Sequence, residues 1–167
     1  MDEHARPLVV VGVDGSRDAD AAVRHAVEEA RRRGGRVLAI AACSVPVLGA
    51  IDVESLPVNP EEAREATERR AREQTDEVLS GIDEASEVPL EVRAELARPV
   101  PLLVEAARDA ALLVVGHRGR GPIRTALLGS VGLGCVLHAP CAVTVVRATP
   151  AAGAPATSDA GALAASR

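Results

Sequence analysis

Residues 114–130, VVGHRGRGPIRTALLGS, decide how this chain is to be read. The stretch leaves an apolar, β-branched run, Ala111 to Val115, that suits a buried strand. It then places Gly116, Gly119, Gly121 and Gly129 within one short span of chain and enters a helical pattern near Ser130. Glycine lets a backbone come within touching distance of another group. A helix start offers unpaired N–H groups at the positive end of a dipole. Strand, glycine loop and helix start together suit an anion, most often a phosphate. The competing reading is an ordinary strand-to-helix connection.

Working outward, the 167 residues suit one domain with a sizeable core. That core must be built from Val, Leu, Ile and Ala, because the chain has no Phe, Trp or Tyr and a single Met. Without aromatic side chains there is no platform for stacking bases, and a net charge of −5 disfavours nucleic acid further. Every basic residue besides histidine is Arg. The missing Lys excludes a Walker A loop and Schiff-base chemistry. Cys43, Cys135 and Cys141 are too few and too unevenly spaced for a disulfide framework or a zinc site, and read as core thiols. The N-terminus is too acidic for a signal peptide, and no apolar run reaches membrane-spanning length. A soluble chain of the cytoplasm is expected.

Upstream, Leu8 to Val13 is a second buried-strand pattern, closed by the turn Asp14-Gly15-Ser16. A helix follows with Ala19, Ala22, Val23, Ala26, Val27 and Ala30 at helical spacing, started by Ser16 or Asp18 and stopped by Gly34-Gly35. Val37 to Cys43 is the next strand, leading into a Pro- and Gly-rich loop. Asn59-Pro60-Glu61-Glu62 starts a peripheral helix that runs to about Ser80. Leu90 to Ala97 alternates as an edge strand does, and Pro101 opens a short helix. After the glycine loop come a helix to about His138 and a last strand, Ala142 to Val146. The domain then ends near Arg147, and residues 148–167 form an Ala/Gly/Pro-rich tail expected to be disordered. Alternating strands and helices give an α/β fold with a parallel sheet, whose ligands bind beyond the strand C-termini where the winding reverses.

The spacing G-x2-G-x9-G-[ST], met by Gly116, Gly119, Gly129 and Ser130, resembles that of the universal stress proteins. VVVGVDGS near the N-terminus and HAPCAVTVVR after the motif extend the resemblance over Leu8 to Arg147. It implies a Rossmann-like five-stranded parallel sheet in the order 3-2-1-4-5, with helices on both faces and the switch point between strands 1 and 4. It also implies ATP, with Mg²⁺ as a possible companion. Asp14 would lie near ribose and adenine, and the backbone at Gly12 and Ala42 near the base. Gly116, Gly119, Arg120 and Gly121 would wrap ribose and phosphates, while Gly129, Ser130 and Val131 would hold the phosphates. With Lys absent, backbone N–H groups, the Ser130 hydroxyl and the loop arginines Arg118, Arg120 and Arg124 would meet the negative charge. Gly132, Pro99 and Ala111 stand where the family often has Ser or Thr, Gly, and Asp.

The resemblance implies a nucleotide-dependent regulatory protein of the stress response that forms a homodimer through the strand Ala142 to Val146. A nucleotide-free dimeric module of the same fold and a slow ATPase are the alternatives. No catalytic residue or metal ligand is identified in the sequence. Asp14 also reads as a turn or cap residue, His117 as a solvent-facing loop residue, and Cys141 as a packing residue.

Overall fold

The computed structural model describes residues 6–43, 59–82, 87–119 and 128–149. The elements run β1 (Leu8–Gly12), α1 (Arg17–Arg32), β2 (Arg36–Cys43), α2 (Pro60–Ser80), β3 (Leu90–Leu96), α3 (Pro99–Ala106), β4 (Leu112–Gly116), α4 (Ser130–His138) and β5 (Val143–Val146). The strands form one parallel sheet in the order β3-β2-β1-β4-β5, as the resemblance implies. The loop after β2, Arg120, Gly121 and Arg124 of the glycine loop, and residues 150–167 lie outside the described residues.

Because side chains alternate across a strand, each central strand feeds two cores. Val9, Val11, Val37, Ala39, Leu112 and Val114 pack under α1 and α2. Val10, Leu38, Ile40, Leu113 and Val115 pack under α3 and α4. This double burial is why β1 and β4 read as unbroken apolar runs. In α1, the small stripe Ala19, Ala22, Val23, Ala26, Val27 and Ala30 is wholly buried, so the helix lies close on the sheet. Gly34, at φ +60°, takes the left-handed turn after α1 at no steric cost.

Most boundaries fall within a residue or two of expectation. The largest shift is α3, which begins at Pro99 rather than Pro101. A proline at the first helical position gives up only an N–H that has no intrahelical partner. In α2, Asn59 caps as expected, and the buried stripe is Ala71, Thr75 and Val78. The hydroxyl of Thr75 is satisfied by the Ala71 carbonyl at 2.7 Å. The outer face of α2 carries a ladder in which hydrogen bonds from Arg64 hold Glu61 and Glu68 below the usual carboxylate range. Such exposed pairs contribute little to stability.

Candidate functional site

The sheet order puts β1 beside β4, with Val9, Val10 and Val11 opposite Leu112, Leu113 and Val114. Their successors α1 and α4 leave on opposite faces, so a crevice opens beyond the ends of β1 and β4. The turn after β1 is built by Asp14, whose Oδ1 accepts the Ser16 N–H at 3.0 Å. Ser16 then caps α1 by accepting the Ala19 N–H at 3.2 Å. Of the local roles expected as alternatives, Asp14 takes the turn, and Ser16, rather than Asp14 or Asp18, is the cap.

From the other wall, Gly119 lies directly on the Asp14 carboxylate, and a β-carbon at 119 would overlap Oδ2. Gly116 presses on the first turn of α1, leaving a β-carbon only 2.9 Å from the Asp18 carbonyl carbon. Gly129 closes the loop by donating its N–H to the His117 carbonyl at 2.9 Å. Gly129 is also the N-cap of α4, and no side chain caps that helix. Its first N–H groups, Ser130 and Val131 among them, have no intrahelical acceptor, and the Ser130 side chain is exposed. Asp14, Gly116, Gly119, Gly129, Ser130 and Val131 thus converge on the ends of β1 and β4 and the start of α4.

Gly12 and Ala42 stand slightly apart. Gly12 ends β1, where its missing side chain makes room for Leu103 of α3; a β-carbon at position 12 would lie 3.2 Å from Leu103 Cδ1. Ala42 is partly buried near the end of β2. It borders a groove of about 1090 Å³ that runs from Asp14 and Gly15 past Ala41–Cys43 to Ala63, Ala66, Thr67 and Arg70 of α2. That groove meets the crevice at Asp14. Its walls also carry Asp20, Glu62, Glu73 and Glu77 against Arg70, so its field is acidic.

Two supporting residues have no signal in the sequence pattern. Gln74 reaches from α2 to accept the Gly15 N–H at 2.8 Å and to donate to the Ser16 carbonyl at 3.3 Å. Asp18 accepts the N–H of Arg118 and of Ala148, each at 2.9 Å. Ala148 is therefore tied to the fold, although its composition groups it with the tail. His117, expected to face solvent, has a side chain only 15% exposed and lies between Asp18 and Arg147. The partners of Gln74 and Asp18 are more than fifty residues away, and local periodicity does not register contacts of that range. Among the described residues no cluster of His, Cys, Asp and Glu could hold a metal ion.

The universal stress protein family model matches residues 7–147, spanning all five strands and both walls of the crevice. The chain belongs to the universal stress protein family. It is 37% identical over 145 residues to a universal stress protein of Mycolicibacterium smegmatis, covering 86% of this chain and 46% of that protein. The chain thus spans about half the length of the curated relatives it matches. Among solved structures, a universal stress protein in complex with cAMP aligns with a TM-score of 0.58 at 28% identity, over 87% of this chain and 99% of that one. A universal stress protein from Archaeoglobus fulgidus in complex with dAMP aligns with a TM-score of 0.52 at 25% identity, over 84% and 97% of the two chains. Among the described residues no helix is long and apolar enough to cross a membrane.

Departures from the family's frequent residues have local explanations. Pro99 starts α3, and the Ala111 N–H donates to the Leu8 carbonyl at 2.8 Å, extending the β1–β4 pairing. Gly132 is buried, and a β-carbon there would come 3.0 Å from Leu128 Cδ1. On the buried face of α4, burial pushes the Cys135 thiol up to about 11, and burial also raises Cys141 just after the helix.

Proposed function

We propose that this universal stress protein binds an adenine nucleotide, ATP foremost, and acts as a nucleotide-dependent regulator in the stress response. The observation that carries the reading is the start of α4, capped by Gly129 with no side chain, facing a glycine loop that rests on Asp14. Free N–H groups at a helix N-terminus are the natural partners of phosphate oxygens. In this reading the phosphates meet Gly129, Ser130 and Val131. Gly116, Gly119, Arg120 and Gly121 follow the ribose and phosphates. Asp14 accepts from the ribose hydroxyls, and the base lies toward Gly12 and Ala42. The acidic groove beside Ala42 repels phosphate, which favours this orientation over its reverse. The adenine nucleotides bound by two relatives support the ligand class.

Binding, not turnover, is the proposed activity. An ATPase needs a placed base or water-orienting group, and we assign none among the described residues of the crevice. Any Mg²⁺ would arrive with the phosphates, which together with water supply most of its ligands. Calorimetry with ATP and AMP tests the proposal. Binding by the parent chain that weakens about tenfold in Ser130→Ala, the loss of one hydrogen bond to a charged group, is expected. No binding at millimolar ATP would overturn it in favour of the nucleotide-free module.

The second element of the proposal is a homodimer. Among the described residues β5 pairs only with β4, and its other edge is offered to a strand of a second copy. Beside it, α4 leaves Leu133, Val136 and Leu137 from 48% to 66% exposed, an apolar strip next to that edge. Equilibrium sedimentation is expected to show a dimer, and a monomer at micromolar concentration would refute it.

A further inference from the structure

We propose that Asp18 is a positioning residue for the nucleotide loop: without touching the ligand, its carboxylate anchors the root of the loop to α1 and to the chain leaving β5. The proposal rests on the nucleotide-binding reading given above. Asp18 lies in the first turn of α1 with a side chain only 16% exposed. Its Oδ2 accepts the Arg118 N–H, and its Oδ1 accepts the Ala148 N–H. The same residue of the loop is held from its other side, because the Ser16 hydroxyl donates to the Arg118 carbonyl at 3.3 Å. Both polar groups of the Arg118 main chain are therefore fixed to one helical turn. Bonds to a carboxylate are about twice as strong as those between neutral groups.

The histidine next to Arg118 completes the anchor. His117 donates its backbone N–H to the Val146 carbonyl, binding the end of β4 to the end of β5. Its Nε2 lies 3.2 Å from Arg147 Nη2, and a guanidinium can only donate. In that contact Nε2 accepts, while Nδ1 stands 4.0 Å from Asp18 Oδ2 without a hydrogen bond. The loop leaves this knot at Gly119 and returns at Gly129, bonded to the His117 carbonyl. Both feet of the loop are consequently set by one network before any ligand arrives. A preorganised site spends less of its interaction free energy on ordering, so loosening the root weakens binding with every contact residue intact.

Asp18→Ala removes both acceptors, whereas Asp18→Asn keeps one oxygen and the shape. With the chain otherwise unchanged, calorimetry with ATP and with AMP is expected to show Kd raised about tenfold for Asp18→Ala and about threefold for Asp18→Asn. Amide exchange followed by NMR is expected to speed up at Arg118 and Ala148 while Val10 and Leu113, in the sheet centre, keep their protection. Should Asp18→Ala fail to fold, Asp18→Asn carries both measurements. Wild-type affinity in the variants overturns the proposal, as does faster exchange spread equally over Val10 and Leu113, which would mark Asp18 as a stabiliser of the whole fold. If the parent chain binds neither nucleotide, the ligand reading fails by itself. The exchange arm then decides: acceleration confined to Arg118 and Ala148 sustains the anchor, and unchanged exchange there removes it.

Discussion

Helices α1 and α4 both start just beyond the end of a central strand, yet they are finished in opposite ways. At the start of α1, Ser16 caps the helix, Asp18 and Asp20 fill its first turn, and its apolar stripe is wholly buried. The cap and the two carboxylates make that end a poor seat for an anion. At the start of α4 there is no side-chain cap and no acidic residue in the first turn, and the helix buries only Gly132 and Cys135. Its N-terminus keeps its positive field, and Leu133, Val136 and Leu137 keep their exposure. The difference shows a division of labour: α1 holds the fold and α4 offers surfaces. A helix start with a side-chain cap and its own acidic residues is stabilised by them and is less able to take an outside anion.

The contrast is broken most directly by placing a charge on each helix. Ala26→Asp buries an unpaired carboxylate among the α1 core residues and is expected to cost several kcal/mol, leaving little folded protein. Leu137→Asp should stay within about 0.5 kcal/mol of the parent in urea denaturation of the monomer, while abolishing the dimer in sedimentation. An equally damaging Leu137→Asp would erase the distinction between the helices.

Next in size is the seam where β4 presses on α1. Gly116→Val sets a β-carbon 2.9 Å from backbone of Asp18, with no flexible side chain to give way. A loss of about 2 kcal/mol is expected, read as a lowered denaturation midpoint. A neutral result would mean the crevice walls can move apart.

The two helix starts themselves should separate stability from binding. Ser16→Ala removes a cap and is expected to cost about 1 kcal/mol. Ser130→Ala removes an exposed hydroxyl and should leave the midpoint within about 0.5 kcal/mol while weakening ATP binding. If Ser130→Ala destabilises as much as Ser16→Ala, the start of α4 is structural after all.

A pH-dependent effect belongs to the part of α4 that is buried. Cys135 is raised by burial from 9.0 to about 11 in the folded chain. Its contribution is complete below pH 9 and is lost as pH rises toward about 11, because the unfolded thiol ionises first. With no Lys or Tyr in the sequence, few other groups titrate in that window. Stability should decline over it, and the decline should flatten in Cys135→Ala. An unchanged slope in that variant would assign the decline to Cys141, which burial also raises.

Much of the fold was legible from residue pattern. The runs Leu8–Gly12 and Leu112–Gly116, the small-residue stripe of α1 and the Asn59-Pro60 start each carry their own local signal. The strand order came from the family resemblance, since periodicity does not say which strands are neighbours. Of the candidate site, the glycines and Ser130 were legible because spacing and backbone freedom are sequence properties. The partners of Gln74, the burial of His117 and the tie between Asp18 and Ala148 were not. Each depends on groups brought together from distant parts of the chain.

By itself, then, the sequence determined an α/β chain whose phosphate-suited loop must work without lysine, through backbone and hydroxyl donors. Those properties follow from composition and from periods of two and 3.6 residues, which act over a few neighbours. Only the tertiary structure decided that Gly119 rests on Asp14, that α4 starts without a side-chain cap, and that Asp18 gathers α1, β4 and the end of β5. The physical reason is reach. A hydrogen bond between residues 18 and 148 exists only after hydrophobic burial has closed the sheet between them.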